Sequence, residues 1–200
     1  MLLSIKTKLK LTSEQKTIMA KHAGIARFTF NWGLATWKNL YDHGFKPNKF
    51  LLKKFFNNEV KTQLEWIKEK GICQKITQYA FDQLGDAYAR FFKGNALGQK
   101  NKPSPNNNTI NRDASRSTQE GLAYFSSQNP GRGDYPRSKK KGINDSFTVD
   151  NGGKPIPVAG VRVKLPTIGW VKTYEGLPHT TTTKLTISRI AGDWYIDERL

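Results

Sequence analysis

The chain begins with a strand-like stretch that needs partner strands from elsewhere in the sequence. From Ile5 to Leu11 apolar and polar residues alternate, apart from Thr7, as in a strand that is buried on one face. Three lysines then share the exposed face: Lys6, Lys8 and Lys10. The next strand-like runs come after residue 145, so we expect residues 1–11 to pair with this C-terminal set.

The last third of the chain supplies the candidate partner strands. Short runs with β-branched and aromatic residues are bounded there by Gly and Pro. These runs are residues 146–149, 161–165, 169–172, 184–190 and 194–196. Together with the N-terminal strand they predict a small β-barrel, because an isolated strand is not stable alone.

Residues 12–93 carry the apolar spacing of helices. Thr12 and Gln15 form a capping box, in which each side chain can bond the main-chain N–H of the other, so a helix should begin there. We expect Gly24 to break this helix before a second one. The sequence therefore predicts an α+β protein with a helical bundle inserted into the barrel.

Two further apolar stripes extend the predicted bundle. One runs from Asn48 to Leu64, and the other runs from Ile76 to Gly94, where a glycine can end the helix. Residues 94–134 then consist largely of Asn, Ser, Gly, Gln and Pro, and too few apolar residues remain to offset the entropy of ordering them. We predict a flexible, low-complexity insertion there.

The predicted organisation has four parts. They are residues 1–11 as the first strand of the barrel, 12–93 as a helical lobe with a helix-turn-helix-like start, 94–134 as the insertion, and 135–200 as the rest of the barrel.

An excess of positive charge indicates the class of partner. The 200 residues include 33 Lys and Arg against 16 Asp and Glu, a formal net charge of +17. Such an excess on a folded chain favours binding to the phosphates of nucleic acid. We expect no membrane partner and a cytoplasmic protein, because no long uncharged apolar run and no signal peptide occur.

Residues that could support metal or nucleophilic chemistry are sparse. Cys73 is the single cysteine, and the three histidines are widely spaced, so we predict no zinc site, no cofactor and no catalytic residue. Asp193, Asp197 and Glu198 form a C-terminal group of carboxylates, which we interpret as a turn and a tail rather than ligands for two metal ions.

The strongest candidate for phosphate binding is a run of cations after residue 135. It contains Arg137, Lys139, Lys140 and Lys141, between Pro136 and Gly142. Such a run can follow a phosphate backbone without distinguishing bases. The alternative is a loop whose cations contact only water.

Other candidates lie on predicted helices and strands. Arg27 and Asn31 are one helical turn apart and can face nucleic acid together. Gln74 and Gln78, with Lys75 beside them, could read adenine in a duplex, although polar side chains that contact only water on a helix surface would show the same pattern. Two lysines of the predicted strands complete the phosphate contacts: Lys164 and Lys172.

Four stretches carry a resemblance to a known family. They are RFTFNW at 27–32, YARFFK at 88–93, YPRSKKKG at 135–142 and VKLPTIGWVK at 163–172. With these motifs the chain resembles the N-terminal half of the TnpB (OrfB) family of insertion sequences, proteins similar to the ancestors of type V CRISPR effectors. The resemblance covers about four fifths of the chain.

The resemblance implies a fold and a function. Full-length members are RNA-guided DNA endonucleases in which a wedge-type β-barrel and a helical recognition lobe precede a RuvC-like nuclease. It also implies that the Gln-bearing helix and Thr148 contact a flanking DNA motif. Because the sequence ends before the nuclease strands, we expect a truncated, transposase-like protein that binds guide-type RNA and duplex DNA and is not an enzyme.

Two alternatives remain open at this point. The chain could be the N-terminal fragment of an active RNA-guided DNA endonuclease that is completed downstream. It could also be a plain helix-turn-helix DNA-binding protein that uses residues 12–41.

Overall fold

A computed structural model describes residues 4–69, 71–100, 135–177 and 182–199. Within these ranges the α-helices are α1 (Ser13–Asp42), α2 (Lys49–Phe55) and α3 (Ile76–Lys100). The strands are β1 (Ser4–Lys10), β2 (Ser146–Asp150), β3 (Arg162–Leu165), β4 (Gly169–Thr173), β5 (Lys184–Ile190) and β6 (Asp193–Arg199). The mixed helix and strand content agrees with the α+β prediction. Residues 101–134, most of the predicted insertion, lie outside the described residues, and the division into domains stays a prediction.

The N-terminal strand is central in one antiparallel sheet of order β2-β5-β6-β1-β4-β3. One end of β1 pairs with β6, where Lys8 lies opposite Tyr195, and the other end pairs with β4, where Leu9 lies opposite Thr173. The predicted pairing of the N-terminal strand with the C-terminal strands is therefore confirmed for Ser4–Lys10. β1 joins two groups of strands that do not pair with each other along the described chain.

The sheet is open, so the prediction of a closed small β-barrel is wrong. Closure requires pairing between the two edge strands, β2 and β3. The free edge of β3 is instead occupied by the preceding segment, where the Lys164 N–H donates to the Pro157 carbonyl (2.9 Å) and Val158 bridges Val163. At the other side of the sheet, β2 contacts α1 and α3.

The start of α1 follows the predicted capping box. The Gln15 N–H donates to the Thr12 hydroxyl (3.2 Å), and the Thr12 N–H donates to the Gln15 side chain (3.1 Å). The predicted break at Gly24 is wrong, because α1 continues for 30 residues. Ala23, Ile25 and other apolar residues around it are buried, and this packing outweighs the cost of about 1 kcal/mol for a helical glycine.

Two other predicted helix boundaries differ from the structure. The helix expected from Asn48 to Leu64 ends at Phe55 and continues as a π-helical turn, Phe56–Val60, and two 3₁₀ turns, Lys61–Gln63 and Glu65–Ile67. Asn57 and Asn58 favour helix poorly, and the buried Phe56 ring packs against Trp32 and Phe81 instead of continuing a regular stripe. α3 continues past Gly94 to Lys100.

The helices cross at close range. A Cβ added to Gly33 of α1 would lie 2.8 Å from Leu84 and 3.0 Å from Phe81, both in α3, so only glycine allows this approach. The buried His22 joins α1 to the turn before α3, because its Nε2 accepts the Cys73 N–H (3.1 Å). Its ring also packs against Phe147 of β2, which connects the helices to the sheet.

Candidate nucleic-acid interface

The cation run forms a loop that is fastened to α1, which we call the basic loop (residues 136–142). The Asn31 Nδ2 donates to the Lys139 carbonyl (2.9 Å), and the Lys139 N–H donates to Asn31 Oδ1 (2.8 Å). The Asn31 amide thus bonds both the carbonyl and the N–H of Lys139, as a main-chain partner does in an antiparallel sheet, and this fixes the path of the loop backbone. Asn31 therefore faces the basic loop.

Arg27 holds the end of the same loop. Its Nη1 lies 2.6 Å from Asp145 Oδ1, and both side chains are largely buried. The second oxygen of Asp145 accepts the Gly142 N–H (3.0 Å). Arg27 and Asn31 are thus one turn apart as expected, but both face protein groups in this structure; direct contact of either with nucleic acid stays a prediction.

Lys139 differs from its neighbours in the basic loop. Its Nζ donates to Gln83 Oε1 (2.8 Å) and lies 4.7 Å from the centre of the Phe30 ring. Burial lowers the pKa of this amine, and the nearby Asp145 carboxylate opposes that shift. Three other cations of the run are exposed: Arg137, Lys140 and Lys141.

A second group of predicted residues meets where α3 packs on β2. Lys75 Nζ lies 2.6 Å from Asp150 Oδ1, and the Tyr79 hydroxyl donates to Asp150 Oδ2 (2.5 Å). Burial acts to raise the pKa of Asp150, but hydrogen bonds from Lys75, Tyr79 and the Gly152 N–H lower it to about 2. This carboxylate therefore fixes the corner between α3 and β2, next to Thr148.

The expected Gln ridge is not formed as predicted. Gln74 precedes α3, which begins at Ile76, so Gln74 and Gln78 do not share one face of this helix. The Gln74 amide donates to the Ile67 carbonyl (3.3 Å). Gln78 is half-buried in α3 and has no side-chain hydrogen bond within the described part of the chain.

A cleft of about 1160 Å³ separates α3 from the polar face of the sheet. Thr148 of β2 lies on its floor, where its hydroxyl lies 3.3 Å from that of Thr186, and Lys139 lies on its wall. The lining also contains charged residues that the sequence analysis did not propose for nucleic-acid binding: Lys49, Asp82, Asp86, Arg90, Lys184 and Asp197. Cations and acids are nearly balanced there, so the cleft differs from a purely basic channel.

Lys164 and Lys172 lie apart from the other candidates. They are on the exposed face of β3 and β4, at the opposite edge of the sheet from Thr148 on β2. Five strand spacings separate β2 from β3, about 24 Å. The predicted residues therefore form three groups, located at the basic loop, at the α3–β2 corner and on the β3–β4 face.

The described residues contain neither a candidate metal site nor a candidate membrane-spanning helix. Within residues 4–69, 71–100, 135–177 and 182–199, no group of three or more His, Cys, Asp or Glu side chains is placed to hold a metal ion. Asp193, one of the C-terminal acids, instead pairs with Lys8 at 2.7 Å. None of the helices described is long and apolar enough to cross a membrane.

Comparison with known proteins agrees with the motifs. Residues 1–46 match the family model of a helix-turn-helix domain named for OrfB of IS605. In this chain the matched residues form β1, the unbroken helix α1 and the turn that follows it. A turn between two helices is absent from the described part of this region.

A curated relative extends the similarity over the remaining chain. InsQ of Escherichia coli (strain K12), named as a candidate RNA-guided DNA endonuclease, is 25% identical over 196 residues, which are 96% of this chain and 39% of InsQ. The chain therefore spans about two fifths of the length of this relative. Together the two matches support the resemblance of this chain to the N-terminal part of the TnpB/OrfB proteins of insertion sequences.

Proposed function

We propose that this chain is a nucleic-acid-binding, transposase-like protein that contacts phosphates through the basic loop. The observation that carries the proposal is the double hydrogen bond between Asn31 and the Lys139 backbone. It fixes the loop before any ligand arrives, so Lys140 and Lys141 are presented to solvent at a defined place. Less conformational entropy is then lost on binding than with a free loop.

We propose guide-type RNA and duplex DNA as the partners. The name of InsQ supports this assignment, since an RNA-guided DNA endonuclease must hold both. The basic loop suits either, because phosphate contacts position a nucleic acid without selecting a sequence.

The salt dependence of binding tests the role of the basic loop. A variant with both Lys140→Ala and Lys141→Ala should bind every nucleic acid more weakly. The slope of log K against log salt concentration should become shallower by about 0.7 to 0.9 for each lost phosphate contact, or about 1.4 to 1.8 for the two. The matched control is Lys53→Ala with Lys54→Ala, a pair of neighbouring lysines on α2. If the loop variant keeps the slope of the parent protein, the interface lies elsewhere.

The α3–β2 corner is our candidate for reading bases. Asp150 holds α3 against β2 through Lys75 and Tyr79, so Gln78 and Thr148 lie on neighbouring, rigidly joined elements. Gln78→Ala should weaken binding to a preferred duplex motif by about 1 to 3 kcal/mol and leave other sequences unchanged. Selection from a library of random duplexes by the parent and the variant measures this difference. A uniform loss over all sequences would contradict base reading.

We propose that the chain performs no strand cleavage by itself. This follows from the absence of a converging carboxylate group among the described residues, since two-metal hydrolysis needs one. The test is incubation of the purified chain with plasmid DNA, Mg²⁺ and RNA. Cleavage that Asp197→Ala abolishes would overturn the proposal and favour the alternative of an active nuclease.

A further inference from the structure

The exposed face of β4 alternates aromatic and cationic side chains. Trp170, Lys172 and Tyr174 point outward, whereas Val171 and Thr173 between them are buried. The two rings are 47% and 59% exposed, so neither belongs to the core. A spacing of four residues in an extended chain separates them by about 13 Å, with the lysine between.

Three cations are placed directly opposite one another across neighbouring strands. Lys10 of β1 pairs in register with Lys172 of β4, which in turn pairs with Arg162 of β3. Like charges in this position repel each other and destabilise a sheet unless an anion neutralises them. β1, β3 and β4 contain no acidic residue, and none of these three cations has an ion pair within the described part of the chain.

A fourth cation accompanies the larger ring. Lys164 of β3 is in register with Trp170, and both are exposed. The other ring, Tyr174, has Lys8 Nζ 5.4 Å from its centre. An ion pair with Asp193 at 2.7 Å fixes the Lys8 ammonium group at this position beside the Tyr174 ring.

We infer that this surface, which we call the β4 face, binds unpaired nucleotides by stacking bases on Trp170 and Tyr174. Lys10, Lys172, Arg162 and Lys164 would then contact the phosphates. Alternating rings and cations suit a single strand, because every unpaired base offers a flat face that stacks on an aromatic ring. Bases inside a duplex are already stacked on each other, so the exposed rings would gain nothing from a duplex. The inference concerns a surface separate from the basic loop.

The inference is tested by comparing oligonucleotides that carry bases with a strand that carries only the sugar-phosphate backbone. Binding of the full chain is measured by fluorescence anisotropy with dT12, with rU12, with a twelve-unit abasic strand of equal charge, and with a 12-base-pair duplex. Trp170→Ala should weaken binding to dT12 or rU12 about 5- to 100-fold and leave the abasic strand unchanged. Trp170→Phe should retain most of the affinity, because a ring remains for stacking. The dT12 and rU12 arms show whether DNA or RNA supplies the nucleotides.

Matched variants control for indirect effects. Phe50→Ala removes an exposed ring on α2, outside the β4 face, and should leave binding to dT12 and rU12 unchanged. Lys172→Ala should weaken the base-containing and abasic strands equally and flatten the salt dependence by about 0.7. Tyr174→Ala repeats the ring test if Trp170→Ala lowers the unfolding temperature.

The outcomes separate this inference from the proposed function. If the parent binds the duplex but neither dT12 nor rU12, the inference fails and the proposed function of the basic loop stands. If both ring variants weaken the abasic strand as much as dT12, the rings do not stack bases and the inference is overturned. Loss of duplex binding in the Lys140 and Lys141 variant, with dT12 or rU12 binding retained, would support two separate surfaces.

Discussion

The side-chain amide of Asn31 and the main chain of Lys139 are joined by two hydrogen bonds, although 108 residues separate them in the sequence. Both partners are partly buried, so each bond is sheltered from water. Asn31 thus fastens the backbone of the basic loop to α1 at Lys139.

Replacing Asn31 by Ala should detach the basic loop from α1. Two partly buried hydrogen bonds are lost, so we expect the free energy of unfolding to fall by about 1 to 3 kcal/mol. Binding to RNA and duplex DNA should weaken, because the loop must then be ordered by the ligand. Urea unfolding and anisotropy titrations measure the two effects.

Asn57→Ala is the matched control for this change. Asn57 is exposed in the π-helical turn and carries no side-chain hydrogen bond within the described ranges. Unchanged affinity in Asn31→Ala, despite lower stability, would show that the loop needs no anchor for binding.

Asp150→Asn should loosen the corner between α3 and β2 in a pH-dependent way. The pKa of Asp150 is about 2 in the folded protein against an ordinary value of 3.8, so its charge stabilises the fold above pH 4. We expect the variant to lose about 2 kcal/mol of unfolding free energy at pH 7. This difference should disappear as the pH falls from about 4 to 2.

Urea unfolding of the parent protein and the Asp150 variant between pH 7 and pH 2 checks this dependence. Asp86→Asn, at an exposed position of α3, provides the control. A difference that persists unchanged at pH 2 would mean that the carboxylate charge does not hold the corner.

His22 should make the fold sensitive to mild acid. Burial lowers the pKa of its ring below 6.5, although the bond to the Ile18 carbonyl partly opposes this. Between the folded pKa and 6.5 the unfolded chain binds more protons, so stability should decrease as the pH falls below about 6.5, by up to about 1.4 kcal/mol per pH unit. Protonation also removes the acceptor that Nε2 offers to the Cys73 N–H.

Equilibrium unfolding at pH 7.5, 6.5 and 5.5 measures the effect of His22. His43→Gln should keep the decrease, because His43 is exposed at the end of α1. A flat profile over this range would rule out His22 as the titrating group.

Replacing residues 101–134 by a short Gly and Ser linker should leave stability almost unchanged. Their composition offers few apolar groups to bury, and shortening a loop changes the closure entropy by only about 0.6 kcal/mol per factor of two in length. The linker begins after Lys100, where α3 ends, and stops before Tyr135, whose hydroxyl lies 2.8 Å from that of Tyr88. Thermal unfolding compares the two proteins, and a loss of several kcal/mol would show that the replaced segment packs.

Local patterns in the sequence predicted the helices and strands themselves better than the tertiary contacts that these elements make. The β-rich run at residues 184–190 located β5, and the capping box of Thr12 and Gln15 located the start of α1. Each of these signals depends on residues a few positions apart. The predicted break at Gly24 was wrong because packing of α1 against elements distant in the sequence keeps the helix continuous there.

The candidate site was less predictable because its arrangement depends on distant partners. Arg27 and Asn31 have the spacing of a binding surface, but their partners, Asp145 and Lys139, lie more than 100 residues further along the chain. Lys139 and Lys140 are adjacent in one cationic run, yet only Lys139 reaches Gln83 of α3. The composition indicated a nucleic-acid partner. Which cations face solvent and which face the protein depends on tertiary packing, which the composition does not reveal.

The central position of β1 has a consequence for synthesis on the ribosome. This strand is translated first, while β4 and β6, which cover both its edges, are translated more than 150 residues later. During that interval both edges of β1 are open to pairing with other nascent chains. Lys6, Lys8 and Lys10 place a charge at every second residue of the waiting strand, so mutual repulsion would discourage such pairing until the correct strands emerge.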